Sequence, residues 1–342
     1  MLVEYANTRL AGLRSQFPAF ALLERMAAGR DGQFMARALA GTVFEPEIAA
    51  LTARKDITVT IPLVLRLVNE GSLRIKRLFA ARAAEAWPQD WDIFVARWEL
   101  EEIKAAVRYL TFGGADLEKR FFFLSYILPL KRAGLWNAHM KPAEFCAALA
   151  RASHPLAQAV DADKFAEDPV AGEFFMERHF FNGYLNKHKP KLGSRRVEYF
   201  RDQLDTINAK NGWMLRQAGQ DGPSRSELYI QGGGRIGLTD FLSIAAAPAE
   251  RDALALIQSK MKLRLDPEKL DSPYGLSTAL KNALLKRYRR MHITNPGGAW
   301  GFFLFIEELD AMIADVKNAV YCGATCSTVD VVSRRFIGAR MS

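Results

Sequence analysis

Apolar positions recur along this chain at intervals of three and four, with charged residues between them, which is the period of helices lying on a core. Over residues 97–109 (RWELEEIKAAVRY), Leu100, Ile103 and Val107 form one stripe at i, i+3 and i+7 on an otherwise charged helix. Residues 308–320 (ELDAMIADVKNAV) repeat the arrangement with Leu309, Met312 and Val316. Alternating apolar runs bounded by turn residues, the mark of half-buried strands, are nearly absent. The pattern predicts an all-α protein. Proline and glycine punctuate it at 44–46, Pro88, Gly113 and Gly114, Pro155, 190–193, 232–237, Pro273 and 296–298. None of these is a long linker, so any domains pack closely.

Three ten-residue windows superpose without gaps: ELEEIKAAVR (99–108), QLDTINAKNG (203–212) and ELDAMIADVK (308–317). Leucine recurs at Leu100, Leu204 and Leu309; an acid at Glu101, Asp205 and Asp310; a long apolar residue at Ile103, Ile207 and Met312; alanine at Ala105, Ala209 and Ala314. The windows start 104 and then 105 residues apart, close to a third of the 342-residue chain. A weaker echo precedes each, a helix end followed by Ser or Thr in a turn, at LAGTVF (39–44), LARASHPL (149–156) and LDSPYGL (270–276). Amphipathic helices resemble one another, but near-equal spacing favours three similar helical units, 1–114, 115–219 and 220–342.

Composition narrows the class. With 49% hydrophobic and 25% charged residues, the chain is an ordinary folded protein that needs no disulfide staple. The opening MLVEYANTRLAGLRSQF carries charges throughout and lacks the apolar block of an export signal. The longest apolar runs, 121–130 and 302–306, fall short of the roughly 20 residues that span a bilayer. Three cysteines fit a reducing compartment. Cys322 and Cys326 could share a helix face, but without neighbouring histidines they make half a zinc site, and small buried side chains are the better reading.

Lys plus Arg number 47 against 38 Asp plus Glu, a net charge of +9 that favours nucleic acid, acidic lipid headgroups or an acidic partner. The excess is spread along the chain, with local clusters at NKHKPKLGSRR (186–196) and KRYRR (286–290), which makes Arg195, Arg196, Arg287 and Arg289 the candidate interface residues. A basic helical-repeat adaptor that binds nucleic acid is the alternative class, although these clusters lack an interleaved aromatic stacking platform.

Catalytic and cofactor motifs are weak. YIQGGGRIGLTDF (229–241) holds Gly232, Gly234 and Gly237 in the spacing G-x-G-x-x-G, with Asp252 where a ribose ligand would lie. That motif needs a strand entering the glycines and a parallel strand beyond, which helical surroundings do not supply. An inter-helix loop is expected instead, its glycines at positive φ and Thr239 or Asp240 capping the next helix. GLSTA (275–279) lacks the last glycine of a nucleophile elbow. His139, His154, His179, His188 and His292 show no metal-ligand spacing. Glu173 and Glu177 share a helix face without the further carboxylates of a di-metal site, so a structural or solvent-facing role is expected. No catalytic residue, cofactor or metal site is predicted.

The ordered series of motifs resembles the C subunits of A-type rotary ATPases, the homologues of the d subunits in the membrane sector of vacuolar ATPases. Tyr5, Asn7 and Arg9 are similar to the family's opening signature, and Glu99, Ile103 and Arg108 to its first repeat helix, where Glu102 stands at a usual asparagine. SHPLAQAV (153–160), RRVEYFRDQLDTINAKNGWMLRQAG (195–219) and YIQGGGRIG follow the second repeat, and SPYGLSTAL with GFFLFIEELDAMIADVKNAVYCG (301–323) the third. The resemblance implies three similar helical domains forming a pseudo-threefold funnel. It implies a non-catalytic rotor component at the cytoplasmic face of the membrane, between central-stalk subunits and the proteolipid ring (the c-ring), with an anionic membrane surface nearby and no nucleic acid.

Overall fold

The computed structural model describes residues 2–54, 56–86, 91–112, 134–137, 139–154, 156–186, 194–218, 223–265, 273–296 and 298–325. Among them there are helices and turns but no strand, as the periodicity predicts. The apolar run 121–130, Pro88, Pro155, His188, Cys326 and residues 187–193 of the first basic cluster lie outside the described residues.

The first segment is α1 (Leu2–Arg14), α2 (Phe20–Ala28), α3 (Gly32–Leu39), α4 (Glu45–Thr52) and α5 (Ile61–Ala86). Asp31 starts α3 by accepting from the Gln33 and Phe34 amides at 3.1 and 3.2 Å. The long α6 (Trp91–Phe112) follows, then α7 (Pro142–Arg151), α8 (Ala162–Glu167) and α9 (Pro169–Arg178), which runs on as a π-helical turn over His179–Leu185. Pro142 opens α7, where its missing N–H costs nothing, and the Glu144 carboxylate accepts from the Lys141 amide at 3.0 Å. The remaining helices are α10 (Ser194–Ala218), α11 (Leu238–Ala245), α12 (Glu250–Met261), α13 (Pro273–Thr294) and α14 (Trp300–Thr325).

Three of these helices organise the rest. Helix α6 packs on α7, α8 and α9, α10 packs on α11 and α13, and α14 packs on α2, α13 and α5. The boundaries 1–114, 115–219 and 220–342 group each long helix with the segment before it; α6 and α10 pack mainly on the helices that follow them, whereas α14 packs both on α13 before it and on α2 and α5.

Two glycines let long helices approach short ones. A Cβ on Gly323 of α14 would lie 2.3 Å from the Gly29 carbonyl oxygen and 2.9 Å from that of Met26, at the end of α2. On Gly212 of α10 it would meet Phe241 O and Ile244 Cγ2 of α11, both at 3.2 Å. Gly323→Ala is expected to destabilise the protein by about 1–3 kcal/mol, because backbone must move to admit the methyl group. Gly212→Ala should be near neutral, its tighter contact offset by the roughly 1 kcal/mol that alanine gains over glycine in a helix. Urea midpoints of the two variants check the contrast.

The windows begin at residues 99, 203 and 308 of α6, α10 and α14, and contacts near their starts, Trp98 with Asp310 and Gln203 with Glu307, bring the three beginnings together. Contacts rise together along α10 and α14, Tyr199 with Phe303 and Gln203 with Glu307, so these helices are parallel. Helix α9 runs antiparallel to α6, pairing Glu173 with Arg108 and Glu177 with Lys104. Helix α13 runs antiparallel to α10: Arg287 pairs with Glu198 and Asp202, while Asn295, just past the end of α13, meets Arg195 at the start of α10. The apolar run 302–306 is an aromatic layer: Phe302 and Phe305 stack on Phe79 of α5 at 4.8 and 5.1 Å, and Phe303 stacks on Tyr199 of α10 at 4.7 Å.

Candidate functional site

The three repeat helices meet in a charged seam at the start of their windows. From α6, the Trp98 indole N–H donates to Asp310 Oδ2 of α14 at 3.1 Å. From α10, the Tyr199 hydroxyl and the Gln203 amide (2.9 Å) both donate to Glu307 Oε1 of α14. Lys76 of α5 joins Asp310 at 3.4 Å and lies over the Trp98 ring, 4.7 Å from its centroid. Burial and then the Glu307 carboxylate hold the Tyr199 hydroxyl well above its ordinary pKa, so it stays a donor. Asp310 keeps 39% of its side chain exposed and Glu101 42%, so water reaches the seam.

One turn along α6 the charges become denser. Lys104 Nζ, 3% exposed, lies 2.5 Å from Glu177 of α9 and 3.2 Å from Glu101, which also receives Arg97 at 2.6 Å. Arg108 pairs with Glu173 at 3.0 Å, and His154 Nε2 lies 3.0 Å from Glu99. Glu173 and Glu177 thus pair with two cations of α6, the structural role expected from their spacing. Among the described residues no three His, Cys, Asp or Glu side chains group as metal ligands. Cys322 is buried.

Between α5, α6 and α14 lies a pair with displaced titrations. Burial, aided by Glu99, raises Glu102 to about 8 against the pull of Lys76 and Lys317. Burial, aided by Lys76, lowers Lys317 to about 7 against Glu102 and Asp310. Lys317 binds its proton less tightly in the folded chain, so its stabilising share is complete above the ordinary lysine range and is lost as pH falls through about 7. Glu102 binds its proton more tightly, so its share is complete below the ordinary carboxylate range and is lost as pH rises through about 8. Lys317→Met removes the acid-side loss. Its urea midpoint relative to the parent should therefore rise as pH is lowered from about 7.5 to about 5.5, and an offset independent of pH would contradict the assignment.

The glycine run is an inter-helix loop. Gly232 takes φ +105°, a conformation that glycine adopts without a Cβ clash. Asp205, the acid of the second window, accepts from the amides of Gly234 (3.1 Å), Arg235 (3.0 Å) and Ile236 (3.1 Å). A Cβ on Gly233 would lie 2.3 Å from Asp205 Oδ1, so a side chain there would push the carboxylate off its amides. Asp240 accepts from the Gly237 amide at 3.2 Å and so helps start α11. The Thr239 carbonyl accepts from the Ser243 hydroxyl.

The candidate cations gather at one end of the molecule, where α10 and α14 begin and α13 ends. Arg195 is exposed, and the Asn295 amide oxygen, turned toward it, accepts from both terminal guanidinium nitrogens at 3.0 Å. Arg196 is half-buried, and burial lowers its pKa. Arg287 is 16% exposed and bridges Asp202 and Glu198 of α10 at 3.0 and 3.1 Å. Arg289 reaches Glu308 of α14 at 2.8 Å, and Arg14 of α1 meets the same carboxylate at 2.7 Å. Arg287 and Arg289 therefore tie helices together within the chain. Their acidic partners lie 85, 89 and 19 residues away, beyond the reach of local pattern. Sequence reasoning also missed Lys104 and Ile293; the second is seven residues beyond Lys286 on the same helix stripe.

No helix among the described residues is long and apolar enough to cross a membrane. A family model described as ATP synthase (C/AC39) subunit matches residues 6–304, and no curated protein matches the chain.

Proposed function

Because the chain belongs to the ATP synthase C/AC39 subunit family, it is a V/A-type ATPase subunit, and we propose that it is the socket of the rotor. In this reading it takes no part in bond chemistry. It receives the central-stalk subunits at one end, rests on the proteolipid ring at the other, and conveys torque at the cytoplasmic face of the membrane.

The observation that carries the reading is that the three repeat windows, on three long helices, meet near their starts in one charged seam. A part that transmits torque must resist shear between its units. Helices locked by buried ion pairs and stacked rings resist it better than units joined by flexible linkers. The division into three domains follows as part of the proposal, with the domains offset from the sequence boundaries. One unit is α6 with α7–α9, one is α10 with α11–α13, and the third is α14 with α1–α5, α13 packing on both α10 and α14 and so joining the last two. The first helices then close a pseudo-threefold funnel onto the last, so the junction at Gly323 carries torque between the chain's two ends.

Membranes depleted of this protein test the role. ATP-driven ion uptake should be lost while the catalytic head still hydrolyses ATP, and adding back the purified chain should restore uptake. Full coupling in depleted membranes would contradict the socket role.

A further inference from the structure

We propose that the end of the molecule where α13 finishes and α10 and α14 begin is a docking surface for an anionic lipid bilayer, with Ile293 as its apolar tip. This deepens the socket reading, on which it rests, by assigning which end faces the membrane.

Ile293 is 75% exposed on the last turn of α13, the most exposed of the large apolar side chains among the described residues. Lys286, Arg290 and Ile293 stand at i, i+4 and i+7, one stripe of the helix, and all three are exposed. The two cations lie about 10 and 4.5 Å behind the isoleucine along the helix axis. That order suits a membrane surface: an apolar side chain at the acyl boundary, with long cationic side chains behind it in the headgroup layer. Arg195 adds a third exposed cation from α10, held at the same end by Asn295.

The fold concentrates this charge. Glu198, Asp202 and Glu308 all point to internal partners, pairing with Arg287, Arg289 and Arg14. The neighbouring acids are thereby partly neutralised inside, and the outer stripe presents Lys286, Arg290 and Arg195. A bilayer carrying anionic headgroups attracts such cations by about 1 kcal/mol each near its surface. An apolar tip adds a contribution that a purely acidic protein partner would not use.

Flotation of the full chain with vesicles tests the assignment, using phosphatidylcholine alone and phosphatidylcholine with about 30% phosphatidylserine. The chain should float with the anionic vesicles and not with the neutral ones. Lys286→Gln and Arg290→Gln should each weaken partition about fivefold, and the pair together by more than tenfold. Ile293→Asp should weaken partition at unchanged thermal midpoint, and Ile293→Leu should retain it. Because these side chains are exposed, folding is preserved and the variants stay interpretable. Equal partition of parent and variants, or binding to neither vesicle, overturns the proposal. So does cation-dependent capture by an acidic motor component with no flotation, which makes the surface a protein contact. Co-purification with motor subunits is scored separately: its survival without flotation sinks only the membrane assignment, and its absence with flotation intact sinks the socket reading.

Discussion

Replacing Lys104 with alanine is expected to lower the unfolding free energy by about 3–5 kcal/mol, because it strands a carboxylate in the interior. Glu177 is 12% exposed and meets the ammonium at 2.5 Å. Burial alone would lower the pKa of Lys104, but Glu101 and Glu177 outweigh it and the group stays protonated above its ordinary value. Its stabilising share is thus complete through the neutral range and is lost only as pH rises through that raised pKa. The second partner, Glu101, remains near water and keeps Arg97, so most of the penalty falls on Glu177. A double replacement, Lys104→Met with Glu177→Leu, should recover most of the loss, since an apolar pair of similar volume needs no counter-charge. Urea unfolding of the single and double variants checks this; a loss under about 1 kcal/mol for Lys104→Ala would mean that water screens the site.

Asp205→Ala is expected to cost about 3 kcal/mol, less than the sum of three charge-assisted hydrogen bonds at about 1.5–3 kcal/mol each. The discount has a physical cause. Burial raises the Asp205 carboxyl above its ordinary pKa, and the Ile236, Arg235 and Gly234 amides only oppose that shift, so desolvation consumes part of the gain. Removing the side chain leaves three amides without their acceptor and loosens the loop that enters α11. Asp205→Asn keeps one acceptor oxygen but turns a donor toward the loop, and should fall between alanine and the parent. Hydrogen exchange at Gly234, Arg235 and Ile236 should accelerate together in Asp205→Ala. Acceleration at only one amide would contradict a shared acceptor.

The all-α class and the three long helices were legible because helix period is a local property, visible in Leu100, Ile103 and Val107 alone. The glycine run was legible as a loop for the same reason: no strand pattern enters it. Packing partners were not legible. Each window resembles the others whichever neighbours it touches, so the pattern could not show that α6 packs on α7 and α9, or α14 on α2 and α5. The basic clusters were visible as charge, but the pairing of Arg287 with Glu198 and Asp202 depends on two helices nearly 90 residues apart. Lys104 looked like any exposed lysine on a charged helix, since its partner Glu177 is 73 residues away. The π-helical turn over His179–Leu185 had no signal in apolar spacing.

This chain is proposed to sit in the rotor of a rotary ATPase. Tagged purification from native membranes in mild detergent, with mass spectrometry of what accompanies it, tests that claim most directly. Proteolipid, central-stalk and nucleotide-binding subunits are expected in fixed proportion to this chain. Its recovery without them, while the same motor is found intact elsewhere in those membranes, would contradict it.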